Sequence, residues 1–345
     1  MPDTAQKICL LSILFLLLGA CGTGSHRPQK LQGSVSIASF DVDRLVENST
    51  QSLSTAKMSC DRSASDSQML KCFKSDWTEE KLNLKLKRIA QTILAITPQG
   101  PDILILQEVE SLKLLNRLND DYLSEAGYRT VSLIETGRDT WKNTAVLSRF
   151  HREGKATLHP ISFAPDPQQA NWKSPASSGI LEVPLRLPDG ERMIVYAFEF
   201  PSSASHTEER QDAIAFLNGL MADKTPGTVA IAAGDSHISD REEAIFHLQS
   251  QVLASHWMVS HLVGCSGCQG TELDRGSWSF FQLMLFSPSL GNEGTAPYQL
   301  SPESIRVVKN GVFQMHPDGT PAAFDEKSSV GVSSYLPVYA EILQR

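Results

Sequence analysis

Two short runs leave this chain little choice of fold class. Ile103-Leu104-Ile105-Leu106 and Val229-Ala230-Ile231-Ala232-Ala233 are apolar without a polar break, the pattern of buried strands. Pro101-Asp102 opens the first, which runs into Gln107-Glu108; the second runs into Gly234-Asp235. Between and around them lie helical patterns. From Trp77 to Leu94 apolar residues recur at helical spacing, with Thr78 placed as a cap and Glu79 and Glu80 in the first turn. Buried strands mixed with helices along the whole chain predict an α/β domain.

The remaining pattern extends that reading. A strand is expected over Val35–Phe40, further strands over 128–134, 143–149, 179–186 and 192–199, and late ones over 278–286, 305–308 and 335–343. Helices are expected over Ser111–Glu125, 207–222 and 240–253. No internal repeat and no convincing linker divides the chain, so residues 34–345 read as one domain, with 49–75 a Ser-rich polar excursion.

The N-terminus follows other rules. Ile8–Leu18 is an apolar run too short to span a bilayer comfortably, behind a weak basic region, and it ends Leu18-Gly19-Ala20-Cys21. Small residues before a cleavage point mark a secretory signal. Leu-Gly-Ala-Cys also resembles the bacterial lipobox. On that resemblance residues 1–20 are a lipoprotein signal peptide, Cys21 is lipidated, and 21–33 are the lipidated terminus and tether. A plain signal peptide or short anchor is the alternative. Gly22 fits outer-membrane sorting, which places the protein in the bacterial envelope, facing the periplasm or the exterior.

Export puts Cys60, Cys72, Cys265 and Cys268 in an oxidising compartment. Four cysteines allow three pairings; the local ones, Cys60–Cys72 and Cys265–Cys268, are favoured. Cys265-Ser-Gly-Cys268 lacks the second ligand pair of a zinc site and the following helix of a redox motif, so it reads as a loop staple. With 31 basic against 39 acidic residues the net charge is -8, which argues against nucleic acid as a partner, because such binding rests on Lys and Arg neutralising phosphates.

Glu108 and Asp235 draw attention because rigid strands deliver them, and ligand sites of α/β folds gather at strand ends. Taken alone, each acid is more simply a cap or a solvated loop residue. The ordered set is more specific. Ser39-Phe-Asp-Val-Asp-Arg-Leu45, Pro101-Asp-Ile-Leu-Ile-Leu-Gln-Glu-Val-Glu110, Asn143-Thr-Ala-Val-Leu-Ser-Arg149, Gly179-Ile-Leu-Glu182, Phe200-Pro-Ser-Ser203, Gly234-Asp235 and Leu336-Pro-Val-Tyr-Ala-Glu341 together resemble the endonuclease/exonuclease/phosphatase superfamily, the deoxyribonuclease I-like fold. The resemblance implies a four-layer α/β sandwich, two face-to-face mixed β-sheets flanked by helices. It also implies phosphoester hydrolysis by an activated water with Mg2+ or Mn2+.

Carried over residue by residue, the resemblance makes Glu108 a metal ligand, Asp43 the acid of the first motif, and Asp235 the group that positions or deprotonates water. Other positions depart from it. Asp41 stands for an asparagine, Glu199 for a histidine, His237 for the asparagine after Gly-Asp, Gln282 for an aspartate, and Ser334-Tyr335 for Asp-His. Trp141-Lys142 and Ser178 stand where arginines are expected. A phenol of reference pKa about 10 does not replace an imidazole beside a developing phosphate charge. Two added carboxylates, at about 4 Å and an effective dielectric of 20, repel by roughly 4 kcal/mol.

Two functional expectations follow. The first is a lipid-anchored binding or scaffold protein, with a protein partner in the envelope, on a catalytically degenerate fold. The second is an active hydrolase with a rebuilt site, in which His237 serves as base or ligand beside Asp235 and Glu108, while Glu199, Asp41, Asp43 and Glu108 hold the cation. A structural envelope protein is a third reading, to which low aromatic content of 7% lends no support.

Overall fold

The computed structural model describes residues 33–47, 77–136, 142–165, 179–203, 205–325 and 327–345. Cys21, the signal, the tether and the Cys60–Cys72 pairing lie outside the described residues. The two apolar runs are the centres of two sheets. Strand β1 (Ser34–Leu45) pairs parallel with β2 (Ile103–Val109), and β2 pairs antiparallel with β4 (Asn143–Ser148). Strand β3 (Thr130–Leu133) edges this sheet on one side, β15 (Val338–Gln344) and β14 (Tyr298–Val307) on the other. In the second sheet β8 (Arg192–Glu199) and β9 (Val229–Asp235) run parallel. They are flanked by β13 (Gln282–Phe286) and β10 (Met258–Val259) on one side, and by β7 (Ile180–Arg186) with the short β5 (His151–Arg152) and β6 (Thr157–His159) on the other.

The lack of alternation in the two runs now has its cause. Ile103 and Ile105 point into the layer between the sheets, with Val195, Ala197, Ile231 and Ala233. Leu104 and Leu106 point the other way, onto Leu82, Leu86, Ile89 and Ile93 of helix α1 (Glu79–Ile96). Ala230 and Ala232 back onto Ala213, Ile214 and Leu217 of helix α3 (Thr207–Ala222). Both faces of a central strand are covered, so both must be apolar. Truncating one such side chain to Ala would cost about 2–5 kcal/mol. Helix, sheet, sheet, helix is the four-layer sandwich, and the spans of β4, β7, β8 and helix α3 agree closely with those read from the pattern.

Caps and breaks agree less evenly. Thr78 Oγ1 accepts from Lys81 N as the α1 cap, and Ser111 Oγ from Leu114 N at helix α2 (Leu112–Arg117), which continues in looser turns to Ala126. The helix expected over 240–253 is broken. Helix α4 (Asp240–Phe246) stops at His247, in the left-handed region at φ 52°, and a π turn resumes at Leu248–Leu253. The strand expected over 278–286 is also split. Residues Ser277–Ser279 form β12 of a hairpin with β11 (Glu272–Asp274), and pairing resumes at Gln282. The strand at 305–308 is the tail of the longer β14. A short helix α5 (Ser260–Val263) precedes the Cys265–Cys268 disulfide. Among the described residues no helix is long and apolar enough to cross a membrane.

Candidate functional site

Register brings the singled-out residues to one end of the sandwich. In the second sheet Glu199 pairs with Asp235, and Asp235 with Gln282, so three adjacent strands present them in a row. In the first sheet Asp41 pairs with Gln107 beside Glu108. Ser39 Oγ bridges the sheets, 3.0 Å from Gln282 Oε1 and 3.4 Å from Gln107 Oε1. Gly234 makes the row possible: a Cβ there would sit 1.8 Å from the Phe198 carbonyl oxygen. No side chain fits that approach.

The backbone around the acids is unusual. Asp43, Arg44, Glu108 and His237 all hold positive φ, between 50° and 59°, a costly conformation for residues other than Gly that collects at functional sites. Each turn folds a main-chain N–H onto a carboxylate. Asp43 N donates to Asp41 Oδ1 at 2.7 Å, Arg44 N to Glu108 Oε2 at 2.7 Å, and His237 N to Asp235 Oδ1 at 2.8 Å. The last of these turns brings Asp235 and His237 together, with Nδ1 3.3 Å from Oδ1. His237 is no surface loop residue: it is 5% exposed.

The remaining polar atoms are less well served. Asp41 Oδ2, both Glu199 carboxylate oxygens, Asp235 Oδ2, His237 Nε2, Gln107 Nε2 and Gln282 Nε2 are buried without a hydrogen-bond partner. Unsatisfied groups at this density are costly and mark a site rather than a core. Burial, then the charges of Glu108, Asp235 and Glu199, push the Asp41 carboxyl well above its usual value. Glu199 is also raised well above it, by burial first, against the pull of Lys142. Burial lifts Glu108 to about 7, with Asp43 adding to it, and lifts Asp235 to about 7 despite the N–H of His237. Burial and the nearby Lys142 and Arg210 hold His237 neutral, well below its ordinary value.

Asp43 behaves differently. Burial alone would raise it, but Arg44, Lys85 and the Ser334 N–H bring it below the usual range. Lys85 is spent on the main chain, its ammonium donating to the Asp43 carbonyl oxygen. The Ser333-Ser334-Tyr335 turn is built into this end: Ser333 Oγ donates to Asp41 O at 2.8 Å and accepts from Tyr335 N at 3.0 Å. Burial and then Asp235, Glu272, Asp41 and Glu108 hold the Tyr335 phenol well above its normal value, so it stays neutral.

One acid escaped the sequence reading. Glu272, on β11, is pushed up to about 9 by burial and by Asp235, Asp274, Asp43 and Glu108, and its Oε2 has no partner. It reaches the cluster through the β11–β12 hairpin, tied down by Thr271 N to Ser279 O and Leu336 N to Thr271 O, both 2.8 Å. Only the acid after Gly270-Thr271 hinted at it. Clefts of about 460 and 630 Å³ lie elsewhere, the first near Leu300 and Arg345, the second near Arg192 and Thr228.

The divalent cation that the resemblance implies does not fit this arrangement. The acids are near enough to repel, but among the described residues no three His, Cys, Asp or Glu side chains converge where an ion could be held. Instead, the Lys142 ammonium stands 3.7 Å from Glu199 Oε1.

No family model matches the chain, and no curated protein matches it in sequence. Solved structures match its fold. TDP2 from D. rerio, humanized by 14 mutations, is 14% identical with a TM-score of 0.55, over 90% of this chain and 99% of that one. An endonuclease/exonuclease/phosphatase family protein from Bacteroides thetaiotaomicron is 15% identical at TM-score 0.55, over 90% and 97%. A mannosyl-6-phosphatase from the same organism is 14% identical at TM-score 0.54, over 90% and 99%. The fold of this chain is that of the endonuclease/exonuclease/phosphatase proteins.

Proposed function

We propose that this chain is a lipid-anchored protein of the bacterial envelope that has kept a phosphoesterase fold, lost its hydrolysis, and acts by binding or scaffolding, with a protein as partner. The observation that carries the loss is the charge at the strand ends. A site that hydrolyses a phosphate ester, such as the one a mannosyl-6-phosphatase is named for, must admit a phosphate dianion and stabilise charge developing on it. Here Glu199 and Gln282 stand in register beside Asp235, where the resemblance puts histidine and aspartate, and Asp41 stands beside Gln107, where it puts asparagine. Tyr335 takes the place of the last histidine, on the turn that Ser333 ties to Asp41. This set adds carboxylates and removes the imidazole that would receive a dianion. The anchoring half of the proposal is supported by Leu18-Gly19-Ala20-Cys21, and Gly22 supports the outer membrane, with the domain facing the periplasm or the exterior.

The full chain, assayed on a chromogenic phosphodiester with Mg2+, Mn2+ and Ca2+ in turn, is expected to show no turnover. Turnover that disappears in Asp235→Ala would overturn the proposal.

One observation favours a second reading, an active hydrolase with a rebuilt site. His237 is neutral, its Nδ1 lies 3.3 Å from Asp235 Oδ1, and its Nε2 has no partner. An imidazole so held has the parts of a general base. Turnover lost on His237→Gln would support it.

A further inference from the structure

We propose that the Lys142 ammonium takes the place of a metal ion in this chain, acting as a built-in counter-ion that closes the acid cluster to divalent cations. The inference rests on the non-hydrolytic reading above and explains how the cluster is held together without a metal. Lys142 immediately precedes β4, at the position where the family resemblance called for an arginine. Its Nζ reaches Glu199 Oε1 at 3.7 Å while three-quarters of its side chain is covered, with 24% exposed against 2% for Glu199. The other nearby cations have partners of their own. Lys85 donates to the carbonyl oxygens of Asp43 and Arg44. Arg44 pairs with Asp43 at the surface, and Arg210 is bound to Glu242 at 2.7 Å.

Register extends the reach of this pair. Glu199 pairs with Asp235 across β8 and β9, so the ammonium that reaches Glu199 stands at the strand ends that present both acids. A positive charge at these strand ends is what a bound cation would supply there. A tethered ammonium supplies it with no loss of translational freedom on binding, and a second cation entering the cluster would meet it at close range.

Binding of Mn2+ by the purified full chain, followed by the loss of its free-ion paramagnetic resonance signal, tests this. The wild type is expected to leave millimolar Mn2+ free, and Lys142→Met to bind it at least tenfold more tightly. That gain should disappear again in Lys142→Met with Glu199→Gln. If Lys142→Met does not fold alone, its melting transition should return on adding Mn2+ or methylammonium and not on adding a tetraalkylammonium salt. Mn2+ held equally well by wild type and Lys142→Met would overturn the inference, and so would a Lys142→Met that neither binds Mn2+ nor is rescued by either cation. Mn2+ bound by the wild type without phosphodiester turnover sinks the inference alone, whereas turnover sinks the non-hydrolytic reading.

Discussion

Strand β2 begins beside one carboxylate and ends in another, and its two ends are built on opposite terms. At the start, Asp102 Oδ2 accepts from the N–H and the hydroxyl of Ser36, each at 2.8 Å, and Oδ1 accepts from Arg149 Nη1 at 2.8 Å. The guanidinium goes on to the carbonyls of Ala126 and Gly100, stitching the strand to the loops around it. At the far end Glu108 has one N–H, from Arg44, and stands among acids, with Lys142, Arg44 and Lys85 as the nearby cations. Buried charge that is matched donor for acceptor is scaffold. Buried charge left in surplus has no structural use, and it persists here where the fold places its chemistry.

The largest effect should come from breaking the matched end. Asp102→Ala leaves Arg149 and Ser36 without their acceptor, and removing one partner of a buried pair costs about 3–5 kcal/mol. Urea denaturation should show that loss. A cost below about 1 kcal/mol would mean the pair is not what fixes this end.

Relieving the unmatched end should have a smaller effect, of opposite sign. Asp41→Asn removes one carboxylate while keeping an oxygen for Asp43 N, and should stabilise the fold by about 1–2 kcal/mol at pH 8.5. The gain should shrink toward pH 5. The sign follows from linkage. The folded values of about 7 for Glu108 and Asp235 lie above those of an unfolded carboxylate. Folding therefore takes up protons between those values, and stability falls as pH rises through 7. Glu272, at about 9, carries the fall further. His237 acts the other way, losing stability as pH drops below about 6.5, because only the unfolded imidazole then takes a proton. Wild-type denaturation curves at pH 6.5 and 9 should thus show lower stability at pH 9, and Asp41→Asn a flatter profile. Equal slopes would mean the acids do not interact.

Much of this contrast was legible in the sequence, and the limits were physical. Ile103–Leu106 and Val229–Ala233 betrayed the two central strands because both of their faces are covered, and Glu108 and Asp235 came with them. The departures at Asp41, Glu199, Gln282 and Tyr335 were visible as residue types, and register sets Asp41 beside Gln107, and Glu199 and Gln282 beside Asp235. Glu272 was not legible, because a hairpin rather than a strand end brings it in. Nor was Lys142, which read as a missing arginine until its distance from Glu199 was known. The break at His247 escaped because its helical spacing is unbroken on either side.

The most direct measurement of the central claim is calorimetric titration of inorganic phosphate into the full chain, with and without Mn2+, at pH 7.5. No binding heat is expected at millimolar phosphate, and the melting temperature should not change. Phosphate bound by the wild type and lost in Asp235→Ala would contradict it.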